Sequence, residues 1–379
     1  MYRIPSLLIP VAYLPGLLYQ KAIRLRNRAY SRKWLTQRRL SAPVISVGNL
    51  TMGGTGKTPF VIYLAGLIEA LGYETAILTR GYGRRKPGAT VILRPGETGI
   101  TPMIGDEPAL TRRRLPQTWM GISANRFQAG TAIAQQATSP VFILDDGFQH
   151  RSLFRNLDIV MIDSTQPPDG ERLFPLGALR EPIAELRRAN IIIVNGDEAA
   201  TVEKSLRPYA GDNAVFFQCV QRIGALIPFT SWQTAGQNAT KLSDVNLQNK
   251  SIAAERAQNT LGVEPTDENP QTDASFPRPK SVYPVAAIGN PERFLSDIAR
   301  LGIAAPGFRF FRDHAEISRK AWTECRDHAR KLGAEAIVMT EKDAVKFSVT
   351  PDFPVLVAIQ STELSDEHRF REILKKLLF

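Results

Sequence analysis

Between Gly53 and Thr58 the sequence reads GGTGKT. Glycines in such a run let the backbone wrap phosphate oxygens and aim its N–H groups inward. The helix that follows adds a favourable dipole, a lysine reaches the terminal phosphates, and a hydroxyl ligates magnesium. Lys57 and Thr58 supply those last two groups. The full pattern, G-x-x-x-x-G-K-[ST], asks for a glycine where Thr51 stands, so the loop to be tested is Thr51, Met52, Gly53, Gly54, Thr55, Gly56, Lys57 and Thr58. A structural glycine turn is the alternative. The flanks favour nucleotide phosphate, because a β-branched strand, PVISVGNL, precedes the loop and helical spacing follows it (Phe60, Val61, Leu64, Leu67, Ile68, Leu71).

A phosphate loop needs acid to hold its metal, and VFILDDGFQH ends an apolar run on Asp145 and Asp146. One carboxylate takes magnesium directly or through water; the other orients a water or a neighbouring cation. Two solvated turn acids are the plain alternative. Further along, GDEPAL offers Asp106 and Glu107, SANRF offers Arg126, GALREP offers Arg180 and Glu181, and RDHAEIS offers Asp313 and His314. Taken singly, each reads as a helix cap, a surface ion pair or a satisfied histidine.

The elements that must position these residues read as α/β. ETAILTRGYGR, SPVFILDDGFQ, LDIVMID and ANIIIVNGD are nearly continuous apolar strands with polar ends. Such strands belong to a parallel sheet covered by helices on both faces, with ligands at the carboxyl ends. The expected class is therefore an α/β protein with a P-loop NTPase-like parallel sheet flanked by helices. A second, smaller α/β domain is expected from VYPVAAIGNPERFLSDIARLG, AEAIVMTEKDAVKF and FPVLVAIQ. The boundaries read as residues 1–41 for a basic N-terminal segment, 42–217 for the loop-bearing domain and 218–379 for the second. Within the last, about 230–280 is polar and reads, at least in its later half, as a flexible surface insertion.

Charge is unevenly spread. The net charge is +11, no Asp or Glu precedes Glu69, and ten Lys and Arg residues do. Eight of them lie between Lys21 and Arg39, behind the uncharged stretch Ile4–Gln20 with its prolines at 5, 10 and 15. That stretch is too short and too interrupted to span a bilayer, and its charges follow the apolar part, the reverse of a secretory signal. An uncleaved helical segment lying in the membrane interface fits best, with Tyr13, Tyr19 and Trp34 at headgroup level. A helix packed on the protein's own surface comes next, and nucleic acid last. The two cysteines, Cys219 and Cys325, are far apart and suggest neither a disulfide framework nor zinc.

In their order, SVGNLTMGGTGKTPFV, TRGYGR, GDEPAL, SANR, LDDGFQHRSL, LFPLGALREP, GNPERF, RDHAEIS and TEKDAVKF resemble the tetraacyldisaccharide 4′-kinases of lipid A biosynthesis. The resemblance runs from the N-terminal segment to about Phe347, the polar insertion excepted. It implies a kinase at the cytoplasmic face of the inner membrane that moves the γ-phosphate of ATP, with Mg2+, to the 4′-hydroxyl of a tetraacylated glucosamine disaccharide 1-phosphate. The implied fold is two α/β/α domains with the active site between them. The family's catalytic pair falls on Asp106 and His314, one expected from each domain, with Asp106 accepting the hydroxyl proton. Lys57, Arg126 and Arg180 are the candidates for charge neutralisation. Thr58, Asp145, Asp146 and Glu181 are the candidates for metal, and His150 for arranging water or nucleophile.

A switch-type GTPase or metal-delivery protein is the competing class. Guanine reading calls for N-K-x-D or T-K-x-D after a strand, and TEKD at Thr340–Asp343 carries those letters in another order.

Overall fold

The computed structural model describes residues 9–99, 101–235, 278–313 and 315–378. Two compact units result: Met1–Pro95, Gln117–Gln221 and Thr362–Phe379 form the first, Gly96–Pro116 and Arg222–Ser361 the second. Most of the polar stretch, 236–277, lies outside the described residues, as does His314.

The first unit is built on strands β1 (Val44–Gly48), β2 (Thr75–Thr79), β3 (Val91–Leu93), β4 (Trp119–Ile122), β5 (Val141–Asp145), β6 (Leu157–Asp163) and β7 (Ile191–Asn195), with the first half of β8 (Val215–Pro228). Their order is β8-β7-β6-β1-β5-β2-β4-β3. All these pairs are parallel except β3 with β4. Every residue of β1, β2, β5, β6 and β7 is buried, as the uninterrupted apolar runs require of strands covered on both faces. Helix α2 (Lys57–Ala70) lays Phe60, Val61, Leu64, Ala65, Leu67 and Ile68 into that core.

The second unit orders its strands β10-β9-β11-β12, all parallel, from β9 (Val282–Ala286), β10 (Arg309–Phe310), β11 (Ala336–Thr340) and β12 (Val355–Leu364). Around them lie α3 (Thr101–Ile104), α4 (Asp106–Arg114), α7 (Phe229–Ala235), α8 (Pro291–Arg300), α9 (Arg319–Lys331) and α10 (Glu341–Ala344). The first unit carries α5 (Arg126–Ala134), α6 (Ala199–Leu206), α11 (Glu367–Leu378) and α1 (Ile9–Ser31).

These units differ from the linear division at residue 217 in two places. Gly96–Pro116, and Asp106 with it, belongs to the second unit. Long-range pairs hold it there: Arg114 with Glu341 at 3.2 Å, Lys346 with Asp106 at 3.7 Å, and the Thr101 hydroxyl donating to the Val345 carbonyl at 3.3 Å. In this division Asp106 lies in the second unit, where the resemblance expected it and His314 to come one from each domain. The C-terminal helix α11 joins the first unit instead, because Phe370, fully buried, meets Phe217 and Phe60 edge-on with ring centroids 5.4 and 6.1 Å away.

Helix α1 carries Pro15 inside it, so that proline does not end the helix. Its inward face is tied to the first unit: the Tyr19 hydroxyl donates to the Arg180 carbonyl at 2.9 Å, and Arg151 donates to the Asn27 carbonyl at 2.9 Å. Its outward face exposes Tyr13, Leu14, Leu17, Leu18 and Leu25. Among the described residues no helix is long and apolar enough to cross a membrane.

Candidate functional site

In the first unit, β1 pairs β5 with Val47 opposite Asp145, so the loop leaving β1 and the acids ending β5 emerge side by side. The loop starts extended. Met52 N donates to the Ala178 carbonyl at 2.7 Å, Arg180 N to the Leu50 carbonyl at 2.8 Å, and Thr51 bridges Leu179 in antiparallel fashion. This explains the missing first glycine: an extended, buried bridge position suits threonine and has no need of positive φ. Positive φ is reached later, at Gly53 (112°) and Gly56 (84°), where glycine does stand. Gly56 then caps α2, placing Lys57 and Thr58 in the first helical turn.

Lys57 Nζ lies 3.5 Å from Asp146 Oδ1, and Arg180 Nη1 donates to both Asp146 oxygens at 2.9 and 2.8 Å. Asp146 turns toward them through a left-handed backbone (φ 50°), a conformation that aspartate tolerates better than most residues. Burial alone would raise its pKa; Lys57 and Arg180 override it and hold the carboxyl at about 2. Asp145 is buried and accepts from the Thr79 hydroxyl at 3.1 Å. Arg126 is buried at the start of α5, its pKa lowered first by burial and then by Arg80, against the pull of Asp146 and Asp145. Burial, then Arg126, Arg155 and Arg80, lower His150 to about 4, so it is neutral near pH 7, with Nε2 3.2 Å from the Ser152 hydroxyl.

Glu181 is placed differently from the other metal candidates. Its side chain is completely buried, and one oxygen pairs with Arg26 while the other pairs with Arg188. Burial pushes its pKa up, opposed by those two guanidinium groups. Both oxygens are committed to a clamp that ties α1 to the turn beside the loop.

In the second unit Asp106 is the first helical residue of α4, behind Gly105 (φ 95°). The segment TEKDAVK sets two further cations, Lys342 and Lys346, among these acids. Lys346, its side chain only 7% exposed, lies 3.7 Å from Asp106 Oδ2 and 3.5 Å from Asp343 Oδ1, and donates to the Ala315 carbonyl at 3.0 Å. Lys342 lies 3.1 Å from Asp313 and 3.6 Å from Glu107. Asp343 is fully buried and accepts from the Thr340 hydroxyl at 2.7 Å and from Ala287 N at 3.1 Å, so it braces a turn and does not read a base. Two lysines one helical turn apart beside acids were the available sequence signal.

Fold and site together define a mixed α/β protein with a parallel-dominated sheet and a glycine-rich loop between strand and helix, faced by a paired acid. The family described as tetraacyldisaccharide-1-P 4′-kinase (LpxK) matches residues 5–378. The tetraacyldisaccharide 4′-kinase of Syntrophus aciditrophicus is 32% identical over 376 residues, 95% of this chain and 91% of that protein. That of Desulfotalea psychrophila is 31% identical, with 98% of this chain and 97% of its own covered. Among solved structures, LpxK from Aquifex aeolicus in complex with ATP superposes with a TM-score of 0.69 at 26% identity, over 99% of each chain. The chain belongs to the tetraacyldisaccharide 4′-kinase family.

Proposed function

We propose that this chain transfers the γ-phosphate of ATP to the 4′-hydroxyl of a tetraacylated glucosamine disaccharide 1-phosphate, a step of lipid A biosynthesis. The observation that carries the reading is the convergence of Lys57 and Arg180 on Asp146 at the mouth of a glycine loop. Two cations and a strand-end carboxylate beside inward-aimed amides suit a polyphosphate. The ATP-bound structure of the Aquifex relative supports the choice of nucleotide.

The transition state of phosphoryl transfer is loose, so alignment and charge neutralisation outweigh a strong base. Lys57, Arg180 and Arg126 neutralise; the loop Thr51–Thr58 binds. In the second unit Asp106 accepts the sugar hydroxyl proton, with His314 as the partner that the resemblance assigns. The Thr58 hydroxyl and the Asp145 and Asp146 carboxylates are hard oxygen donors that fit magnesium, which keeps several waters and needs only one or two carboxylates. An ion held by these oxygens would supply positive charge to the phosphates during transfer. Glu181 leaves this set because its clamped side chain is completely buried, whereas the Asp146 side chain, though also paired with cations, is 42% exposed.

We assign α1 to the membrane interface at the cytoplasmic face of the inner membrane. Leu14, Leu18 and Leu25 are exposed on the face turned away from the first unit, and Arg24, Arg28 and Lys33 lie exposed behind them. An acylated anionic acceptor resides in such a surface, and nucleic acid is not a partner. The test is incubation with labelled ATP and a panel of acylated glucosamine disaccharides. Label on the 4′-position of the tetraacyl 1-phosphate supports the reading, and acceptor-independent hydrolysis alone would sink it.

A further inference from the structure

Under the phosphate loop lie two side-chain amides from distant strands. Gln221, on β8, donates from Nε2 to the Gly56 carbonyl at 2.7 Å. Asn195, at the end of β7, donates from Nδ2 to Gln221 Oε1 at 2.9 Å and to the Thr55 carbonyl at 3.3 Å. Asn195 is fully buried and Gln221 is 2% exposed. A methyl group on Gly56 would collide with Gln221 Oε1 and stand 2.5 Å from Asn195 Nδ2, so glycine is required here by packing as well as by φ.

A trans peptide points its carbonyl and its N–H in opposite directions. Fixing the Thr55 carbonyl on Asn195 therefore fixes the Gly56 N–H on the other side, and Gln221 joins the first helical bond, from Phe60 N at 3.2 Å, in fixing the Gly56 carbonyl and with it the Lys57 N–H. We infer that Asn195 and Gln221 are positioning residues of the phosphate grip: by holding two successive carbonyls into the protein they preset two successive N–H groups for phosphate oxygens. The inference rests on the nucleotide role proposed for this loop. It adds two residues that touch no nucleotide themselves.

The full-length chain carrying Gln221→Glu, and separately Asn195→Asp, keeps side-chain shape and removes the donor. For each we expect the dissociation constant and KM for magnesium ATP to rise by about tenfold, as losing a buried hydrogen bond would give, with the acceptor KM within about twofold of the parent. Gln221→Met serves as the second reading should the carboxylate variant fail to fold. Parent-like ATP affinity in the folded variants overturns the inference, and so does an equal rise in both KM values, which marks a general structural role. Absence of ATP binding by the parent chain would instead strike at the phosphate-loop reading itself.

Discussion

Lys346 Nζ stands 3.7 Å from Asp106 Oδ2 and 3.5 Å from Asp343 Oδ1, with its side chain almost wholly buried. One ammonium group thus serves the proposed proton acceptor and a carboxylate that has no exposure at all. Removing it leaves Asp343 charged and buried, so Lys346→Met should lower unfolding free energy by about 3 kcal/mol. Denaturant titration measures this; a loss under about 1 kcal/mol would mean the pair is not coupled.

Asp106 itself is read out differently. Asp106→Asn preserves shape and removes proton acceptance, so turnover should drop by about 10²–10⁴-fold, with magnesium ATP affinity unchanged. Normal turnover in this variant would remove Asp106 from the proposed role while leaving the kinase assignment standing.

Much of this was legible in the sequence because local pattern and burial agreed. GGTGKT fell between strand and helix, and the five fully buried strands of the first unit were all visible as apolar runs. What escaped depended on contacts distant in sequence. Nothing local to GDEPAL announces that Arg114 and Asp106 will find Glu341 and Lys346 more than two hundred residues on. Glu181 beside Arg180 looked like part of one acidic and basic site, yet the chain bends at these two residues and their side chains part. Arg180 reaches Asp146 while Glu181 turns into the Arg26 and Arg188 clamp. Gln221 did leave a signal, as the polar residue in the buried alternation Phe217, Cys219, Gln221, Ile223 of β8.

The clamp makes Glu181 separable from a metal ligand. Glu181→Ala leaves two guanidinium groups facing each other, and because Arg26 is about one-third exposed the cost falls toward the low end for a broken buried pair, about 2–3 kcal/mol. Nucleotide-free melting should register that loss, with the magnesium dependence of transfer unaltered. A shifted magnesium requirement at parental stability would return Glu181 to the metal.

Acid should unfold the chain through two distinguishable windows. His150 is held at about 4 against an ordinary 6.5, so the unfolded chain takes up the proton first, and stability is lost as pH falls from 6.5 through about 4. Asp146 is held at about 2 against 3.8; the stability from its pairing is complete above 3.8 and is lost as pH falls through about 2. His150→Asn should flatten the upper window by on the order of 1–2 kcal/mol and leave the lower one alone. The same variant should keep the pH profile of transfer unchanged above pH 6, where His150 is already neutral. A slope between pH 6.5 and 4 that survives the substitution would assign it to another group.

The outward face of α1 can be tested without touching its inward anchors. Leu14 and Leu18 are 65% and 62% exposed, while Tyr19 and Arg26 hold the helix from the other side. Replacing both leucines with glutamate removes apolar area worth roughly 1.5–3 kcal/mol for each leucine buried and sets like charge against an anionic surface. Co-sedimentation of the intact chain with anionic vesicles should fall by more than about tenfold, and added salt should weaken what binding the basic residues still give. Transfer to a detergent-dispersed acceptor should persist, since the substituted positions point away from the unit that carries the loop. Equal sedimentation of parent and variant would mean that the exposed leucines do not meet lipid, and the attachment would have to be sought on another surface.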